Sequence, residues 1–566
     1  MKSTVHPGWA LAALAIPVLL GMGKTLPAPA SADGKAPDST FVAGNLVRGR
    51  KAGPIDAPPG SAPGTPRGGE PAQKEALRIA LERSLPVGRW TRSRWGVLVV
   101  SLDRGDTLFA RDAHRPLVPA SNAKLLTSAA ALHYLRPEFR YETFLLSGDP
   151  VVGGVLHGDL VLYGTGDPSL ARNHREDRTD PLRLLARKLH RQGVRAIRGD
   201  VVGDGTYFTG PDIPPTWKRS NLNDWFAAPA SALSYEGNTT TLRISSGIRP
   251  GAPLRVTTDP AEAAVEISVI GRTVAGRPGR PVWALRDDPA DPVEIVGEMS
   301  PSSRTISRRI PVPDPPLYAA ARLRALLIDE GIEVVGSARS VENGDASLLG
   351  RREVWAPGFE EDAARPRVLA RIESPPLGAL LATVNQESNN LFAEAIFRTL
   401  GRVVEGEGSF AGGSRVLQRY LVEEVGLPPG EVRPVDGSGL SPSNRVSPYG
   451  LIRILEAVLT SENRAIFLEP LPEAGRRRGL RRMYRSPAAG NLRAKTGTLD
   501  RVSALSGIVR TREGETLLFS IVSNDVPSTG AAKRIEDRIG VELAAFRRSG
   551  PSARVGGEFQ ESSREF

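Results

Sequence analysis

The apolar positions of this chain repeat in two ways, and the kind of repeat changes along its length. Ala76, Leu77, Ala80, Leu81 and Leu85 recur at three- and four-residue spacing, which predicts an amphipathic helix with order beginning near Lys74. Residues 95–102 form an apolar run that reads as a strand, Asp103-Arg104-Gly105 as a turn, and residues 106–110 as the hairpin partner. A buried helix follows, because Leu125, Leu126 and the run Ala129-Ala130-Ala131-Leu132 leave it almost no polar face. A hairpin running into a buried helix places the start of that helix at the edge of a sheet.

From about Tyr141 short strands take over, at 158–163, 196–202, 240–245 and 265–270. Helices are predicted there only at 181–192 and 316–330, the second stopped by Gly331. Residues 203–238 are long and irregular and carry Trp217, Trp225 and Tyr235. After Arg371 helical spacing returns, at 376–384, 390–400, 414–425 and 448–459. Residues 491–498 read as a strand, 502–511 and 515–523 as a hairpin, and 531–548 as a closing helix. The pattern predicts one α/β domain assembled from residues 74–140 and 366–549. A mostly-β insert of one or two lobes, residues 141–365, splits it.

The flanks read differently. Residues 1–32 have the form of a secretory signal peptide: Lys2, an apolar centre at 9–22, and Ala30-Ser31-Ala32 as an A-x-A-type end. The apolar run is short for a membrane span, which favours cleavage over an uncleaved anchor. An extracytoplasmic place is expected, in the periplasm or cell envelope, with no stable membrane span after cleavage. Residues 33–73, rich in Pro, Gly, Ala and Ser, read as a disordered linker, and 550–566 as a disordered polar tail.

Composition removes several chemistries. The chain of 566 residues has no cysteine, so disulfides, iron–sulfur clusters and thiol catalysis are excluded. Its six histidines end at His190, and no pair has metal-ligand spacing, so neither a metal nor another cofactor is expected. The net charge of +11 permits an acidic partner. No basic block is interleaved with aromatics, so nucleic acid is not an expected partner. Oligomeric state is not legible.

Lysine is scarce: ten residues against 64 arginines. Where so biased a chain keeps a lysine, the reversible loss of a proton is a reason, since arginine cannot act as a base. Lys124 follows Ser121 by one helical turn in Pro119-Ala120-Ser121-Asn122-Ala123-Lys124. A desolvated lysine can take the proton of a serine hydroxyl, and a helix start supplies N–H groups for an oxyanion. The plain alternative is a helix cap followed by a solvated charge. A second polar stretch, Asn385-Gln386-Glu387-Ser388-Asn389-Asn390, interrupts two apolar helices. It reads as a capped helix start or as a proton relay through Ser388 with Asn390 positioning a substrate amide. The third is Arg493-Ala494-Lys495-Thr496-Gly497-Thr498-Leu499. On a strand, Gly497 lets a substrate backbone lie close, Lys495 and Thr496 could hold a carboxylate, and the Thr498 N–H could face an oxyanion. Alone, that stretch is commonplace.

Ser-x-x-Lys, Ser-x-Asn and Lys-Thr-Gly in this order form the set used by penicillin-binding proteins and class A β-lactamases. With its flanks and the long gap from Lys124 to Ser388, the chain resembles the serine D-alanyl-D-alanine carboxypeptidase/endopeptidase family of penicillin-binding protein 4 type, from roughly Arg89 to Arg548. Gly164-Thr165-Gly166-Asp167-Pro168-Ser169-Leu170 and Val435-Asp436-Gly437-Ser438-Gly439-Leu440-Ser441 look like further signatures of that group, while Asn389 stands where relatives often have Asp. The resemblance implies a transpeptidase/β-lactamase-like domain, an antiparallel sheet flanked by helices. It implies an acyl-enzyme on Ser121 with Lys124 as base, and Ser388 and Lys495 passing a proton to the leaving amine. Asn390, Lys495, Thr496, Gly497 and Thr498 would form the substrate site. Peptidoglycan stem peptides would be the substrate and β-lactams covalent inhibitors. Two rivals are a β-lactamase or esterase on the same scaffold and a non-catalytic peptidoglycan-binding protein.

Overall fold

A computed structural model describes residues 69–549, apart from 87, 91, 289, 342–343, 350–365 and 477–478. The expected signal peptide, residues 33–68 of the expected linker, and the tail at 550–566 lie outside the described residues. The last residues assigned to that linker are helical. The first helix runs Glu70–Ser84, with proline in its first turn, where the missing N–H has no helical partner to lose. Proline read as a linker signal is here a helix start.

Five antiparallel strands form the central sheet, in the order Thr107–Arg111, Arg94–Ser101, Thr516–Asn524, Val502–Arg510, Arg493–Leu499. Its central strands are buried on both faces, which is why their sequence shows unbroken apolar runs. Trp95, Val97 and Val99 pack with Leu517, Phe519 and Ile521 beneath the helices Glu70–Ser84 and Thr529–Ala545. Leu98 and Val100 alternate to the other face and join Leu518 and Val522 beneath Ala123–Tyr134 and Pro448–Leu459. Further helices, Leu377–Asn385, Asn390–Glu405 and Phe410–Arg419, extend this second layer, and the last passes into a π turn at Tyr420–Glu424.

The intervening chain forms two lobes, one nested in the other. The outer lobe has a five-stranded sheet in which Glu142–Ser147 pairs with Leu160–Gly164 and with Arg367–Glu373. Arg367–Glu373 lies beyond the boundary drawn at 365. Its alternation is masked by three charged side chains in seven residues. The run 196–202 is two strands, Ala196–Ile197 and Val201–Asp204, which belong to different sheets. Helices Pro181–Arg191 and Pro315–Asp329 pack over these sheets through Leu185, Leu189, Leu323 and Leu327. The inner lobe is mostly strand, two three-stranded sheets and a two-stranded one, with a core of Leu242, Ile244, Ala284 and Ile295. Among the described residues no helix is long and apolar enough to cross a membrane.

One buried arginine ties the two parts together. Arg398, on Asn390–Glu405, is fully buried and donates to Asp212 Oδ1 at 2.7 Å, Ala230 O at 2.7 Å, Thr209 O at 3.0 Å and Gly408 O at 3.1 Å. Its guanidinium also lies over the Phe208 and Phe410 rings. Arg398→Met leaves these acceptors without a donor and should cost about 3 kcal/mol, read as a lower urea midpoint and faster proteolysis around residues 209–230.

Candidate active site

Ser121 sits in a 3₁₀ turn, Ala120–Asn122, that opens directly into the helix Ala123–Tyr134. The turn is strained, since Ala120 has φ of +47°, a conformation that a Cβ disfavours. Neighbouring elements hold it. The Asn122 Nδ2 donates to Ser506 Oγ at 2.9 Å in the sheet. Two glycines press on the turn from either side. A Cβ at Gly497 would lie 2.7 Å from Pro119 O and 3.2 Å from Ser121 N. One at Gly439, where φ is +80°, would lie 1.9 Å from Ala120 O.

Lys124 is fully buried. Its Nζ lies 2.7 Å from Asn390 Oδ1, 2.7 Å from Ser438 O and 3.2 Å from Ser121 Oγ. Burial lowers its pKa below the ordinary 10.5, against the pull of the Glu394 and Asp436 carboxylates. A neutral amine has two hydrogens and one lone pair. With both hydrogens donated to the two fixed acceptors, the lone pair faces the serine hydroxyl. The pair can therefore act as nucleophile and base.

The second and third stretches converge on the same place. Lys495 is also fully buried on the edge strand Arg493–Leu499, and its Nζ donates to Ser388 Oγ at 2.9 Å and Thr496 O at 3.0 Å. Burial first, and the neighbouring Lys124 second, hold its pKa well below the usual lysine value. Ser388 has φ of +58°, a second strained non-glycine in the site. Asn389 caps the helix Asn390–Glu405 by accepting from Phe392 N at 3.2 Å. Asn390 bridges, its Oδ1 accepting from Lys124 and its Nδ2 donating to Phe226 O at 2.8 Å. Its polar atoms thus have partners within the chain. Thr496 is half-buried and Thr498 exposed on the outer strand of the sheet.

The loop at 435–444 completes the cleft, and sequence reasoning gave none of its residues a site role. Asp436, 1% exposed, accepts from Gly439 N, Ser441 N, Asn444 Nδ2 and the Trp217 Nε1. Glu394, buried in the helix that begins at Asn390, accepts from Gly437 N and Ser438 N. These bonds set the Ser438 carbonyl that receives Lys124. Burial raises the pKa of Glu394, and the Asp436 charge adds to the rise. The available signal was an acid flanked by Ala393 and Ala395 in the otherwise apolar run 391–397. Trp217, Leu222 and Ala227 of the insert pack with Leu440, and with the half-buried Phe226 and Leu499, to wall one side.

A Ser-x-x-Lys helix start set against a Lys-Thr-Gly edge strand, on an antiparallel sheet with helices over both faces, defines the class of penicillin-binding proteins and β-lactamases. The chain belongs to the D-Ala-D-Ala carboxypeptidase 3 (S13) family, whose profile matches residues 77–545. It is 29% identical over 466 residues to the D-alanyl-D-alanine carboxypeptidase of Actinomadura sp. (strain R39), spanning 80% of this chain and 81% of that one. It is 26% identical over 446 residues to the D-alanyl-D-alanine carboxypeptidase DacB of Haemophilus influenzae, spanning 78% and 86%. The crystal structure of penicillin binding protein 4 from Haemophilus influenzae matches the fold with a TM-score of 0.67 at 24% identity, covering 82% of this chain and 98% of that one.

The packing at Gly497 carries a test. Gly497→Ala must move the edge strand off the Pro119–Ser121 turn, and should destabilise the protein by about 1–3 kcal/mol. Thermal unfolding of the variant, beside Gly276→Ala at an exposed position that, like Gly497, has no positive φ and has nothing near its Cβ position, separates crowding from the general effect of replacing glycine by alanine.

Proposed function

We propose that the protein is a serine-type D-Ala-D-Ala carboxypeptidase/endopeptidase that cleaves peptidoglycan stem peptides through an acyl-enzyme on Ser121. The observation that carries the reading is the Lys124 amine, held by two acceptors 2.7 Å away with Ser121 Oγ as its third neighbour at 3.2 Å. The catalytic residues are Ser121, Lys124 and Ser388, and the substrate side is formed by Asn390, Lys495, Thr496, Gly497 and Thr498. Names of family relatives support the same substrate class.

In the first step Lys124 takes the Ser121 proton as Oγ bonds to the carbonyl carbon of the penultimate D-alanine. The oxyanion is stabilised by the backbone N–H groups of Ser121 and Thr498. Collapse breaks the carbon–nitrogen bond, and the leaving amine takes a proton through Ser388 Oγ, which bonds Lys495. Water then hydrolyses the ester and regenerates Ser121. Release of free D-alanine is carboxypeptidation, and release of a cross-linked stem is endopeptidation. Lys495, pushed toward its neutral form by burial, would gain charge on meeting the terminal carboxylate of the substrate, with Thr496 beside it. Asn390 contributes by fixing Lys124 and the wall at Phe226, and so the direction from which a substrate amide arrives. β-Lactams would be attacked by the same serine. Such a substrate places the protein outside the cytoplasm, in the periplasm or cell envelope, in keeping with the signal peptide read at residues 1–32.

Mass spectrometry after benzylpenicillin should find the adduct on the peptide containing Ser121, with D-alanine released from a stem pentapeptide. Both signals should vanish in Ser121→Ala. Rapid turnover of the adduct would mark a β-lactamase, and binding to peptidoglycan without acylation a non-catalytic protein. Lys124→Arg keeps the charge and removes the base, so acylation should fall about 10²–10⁴-fold. Near-normal acylation in that variant rules Lys124 out as base. Acylation by wild type should rise with pH, because only neutral Lys124 accepts a proton. Since burial lowers the lysine pKa, the rise should fall below pH 10.5, measured as the pH dependence of the acylation rate constant.

A further inference from the structure

We propose that Trp217 is a positioning residue for Lys124, acting through Asp436 and Ser438 from an arm of the insert. The idea deepens the functional reading above and rests on it for its catalytic consequence. Two acceptors orient the Lys124 amine, Asn390 Oδ1 and Ser438 O. Each is braced from behind by the same arm. Asn390 Nδ2 donates to Phe226 O at 2.8 Å, and Trp217 Nε1 donates to Asp436 Oδ2 at 2.9 Å, in the loop that presents Ser438. Of the four donors on Asp436, Gly439 N, Ser441 N and Asn444 Nδ2 belong to its own loop. Trp217 is the one the insert supplies.

The indole is 6% exposed, and its ring packs with Leu222, Ala227 and Leu440. A phenyl ring could fill much of that space, so packing alone does not call for tryptophan. The N–H is what phenylalanine lacks, and a buried indole N–H needs an acceptor. Its acceptor is a carboxylate that faces the catalytic amine electrostatically. Two acids bear on Lys124: Glu394 and Asp436 both favour its protonated form, while Lys495 on the edge strand is a buried amine whose own charged form Lys124 disfavours. Each hydrogen bond donated to Asp436 spreads its negative charge. Without the indole donor more of that charge faces Lys124, the ammonium is favoured, and less neutral base remains at a given pH. The insert therefore tunes the base as well as walling the cleft.

Trp217→Phe in the full-length chain tests this by a readout independent of turnover. Lysine labelled with carbon-13 at Cε gives ten signals in this chain, and the Lys124 signal is assigned by its loss in Lys124→Met. The expected result is a Lys124 titration midpoint higher by about half a pH unit, with acylation by benzylpenicillin at neutral pH slower by about threefold. An unchanged midpoint overturns the proposal, including where the variant merely melts earlier or has a smaller active fraction. Should Trp217→Phe fail to fold, benzothienylalanine at position 217 replaces the N–H with sulfur at nearly constant shape, and the same titration decides. If wild type is never acylated at Ser121, the functional reading fails while the titration still reports on Trp217.

Discussion

The structure depends on a lysine amine buried among neutral oxygens. Lys124 and Lys495 are both fully buried, and every oxygen bonded to them is neutral: an amide, two backbone carbonyls and two serine hydroxyls. A carboxylate in any of these places would hold the proton on nitrogen and work against the role as base proposed for Lys124. The nearest acids are turned elsewhere. Glu394 spends its oxygens on the N–H groups of Gly437 and Ser438, and Asp436 on four donors of its own. Because burial raises Glu394 as it lowers Lys124, the pair is biased toward two neutral groups over two charged ones.

Bringing neutral oxygens to one nitrogen requires close approach of several backbones. Gly439 and Gly497 allow the 435–444 loop and the edge strand to touch the serine turn, where a side chain on either would meet atoms of residues 119–121. Ala120 and Ser388 hold positive φ without being glycine, so their surroundings must enforce a conformation their own chemistry disfavours. Both lie next to groups that the chemistry needs, in keeping with strain maintained by packing on all sides.

Much of this was legible in the chain. The two-faced sheet could be read from residues 95–102 and 515–523, because strands buried on both sides lose their polar alternation. The scarcity of lysine singled out Lys124 and Lys495, since few roles in so arginine-rich a protein exclude arginine. Ser388 and Asn390 stood out as polar residues between apolar helices. What could not be read were contacts between segments with no shared periodicity. Asp436 meets Trp217, and Lys124 meets Ser438 O, at sequence separations of 219 and 314. Backbone carbonyls such as Phe226 O carry no residue signature at all. The strand Arg367–Glu373 hid behind its charges, and residues 196–202 hid a change of sheet behind an apolar run.

The topology explains how the insert reaches the site. Strand Arg94–Ser101 pairs with Thr516–Asn524, so the catalytic domain closes only when the two ends of the described chain meet. Ser121 and Lys124 come from the first part, and Ser388, Asn390, Ser438 and Lys495 from the second. Everything that positions one part on the other therefore positions Asn390 Oδ1 and Ser438 O against the Lys124 amine. The insert leaves the first part near Tyr141 and returns at Arg367–Glu373, paired with Glu142–Ser147, so its two ends are joined in one sheet. From that root it sends residues 209–230 back to the cleft, where Arg398 fixes the arm and Trp217 and Phe226 reach the groups around Lys124. A lobe anchored at its root and again at the site acts as a brace across the seam between the two parts. That seam is where the two acceptors of the Lys124 amine, Asn390 Oδ1 and Ser438 O, meet the helix that carries it beside Ser121.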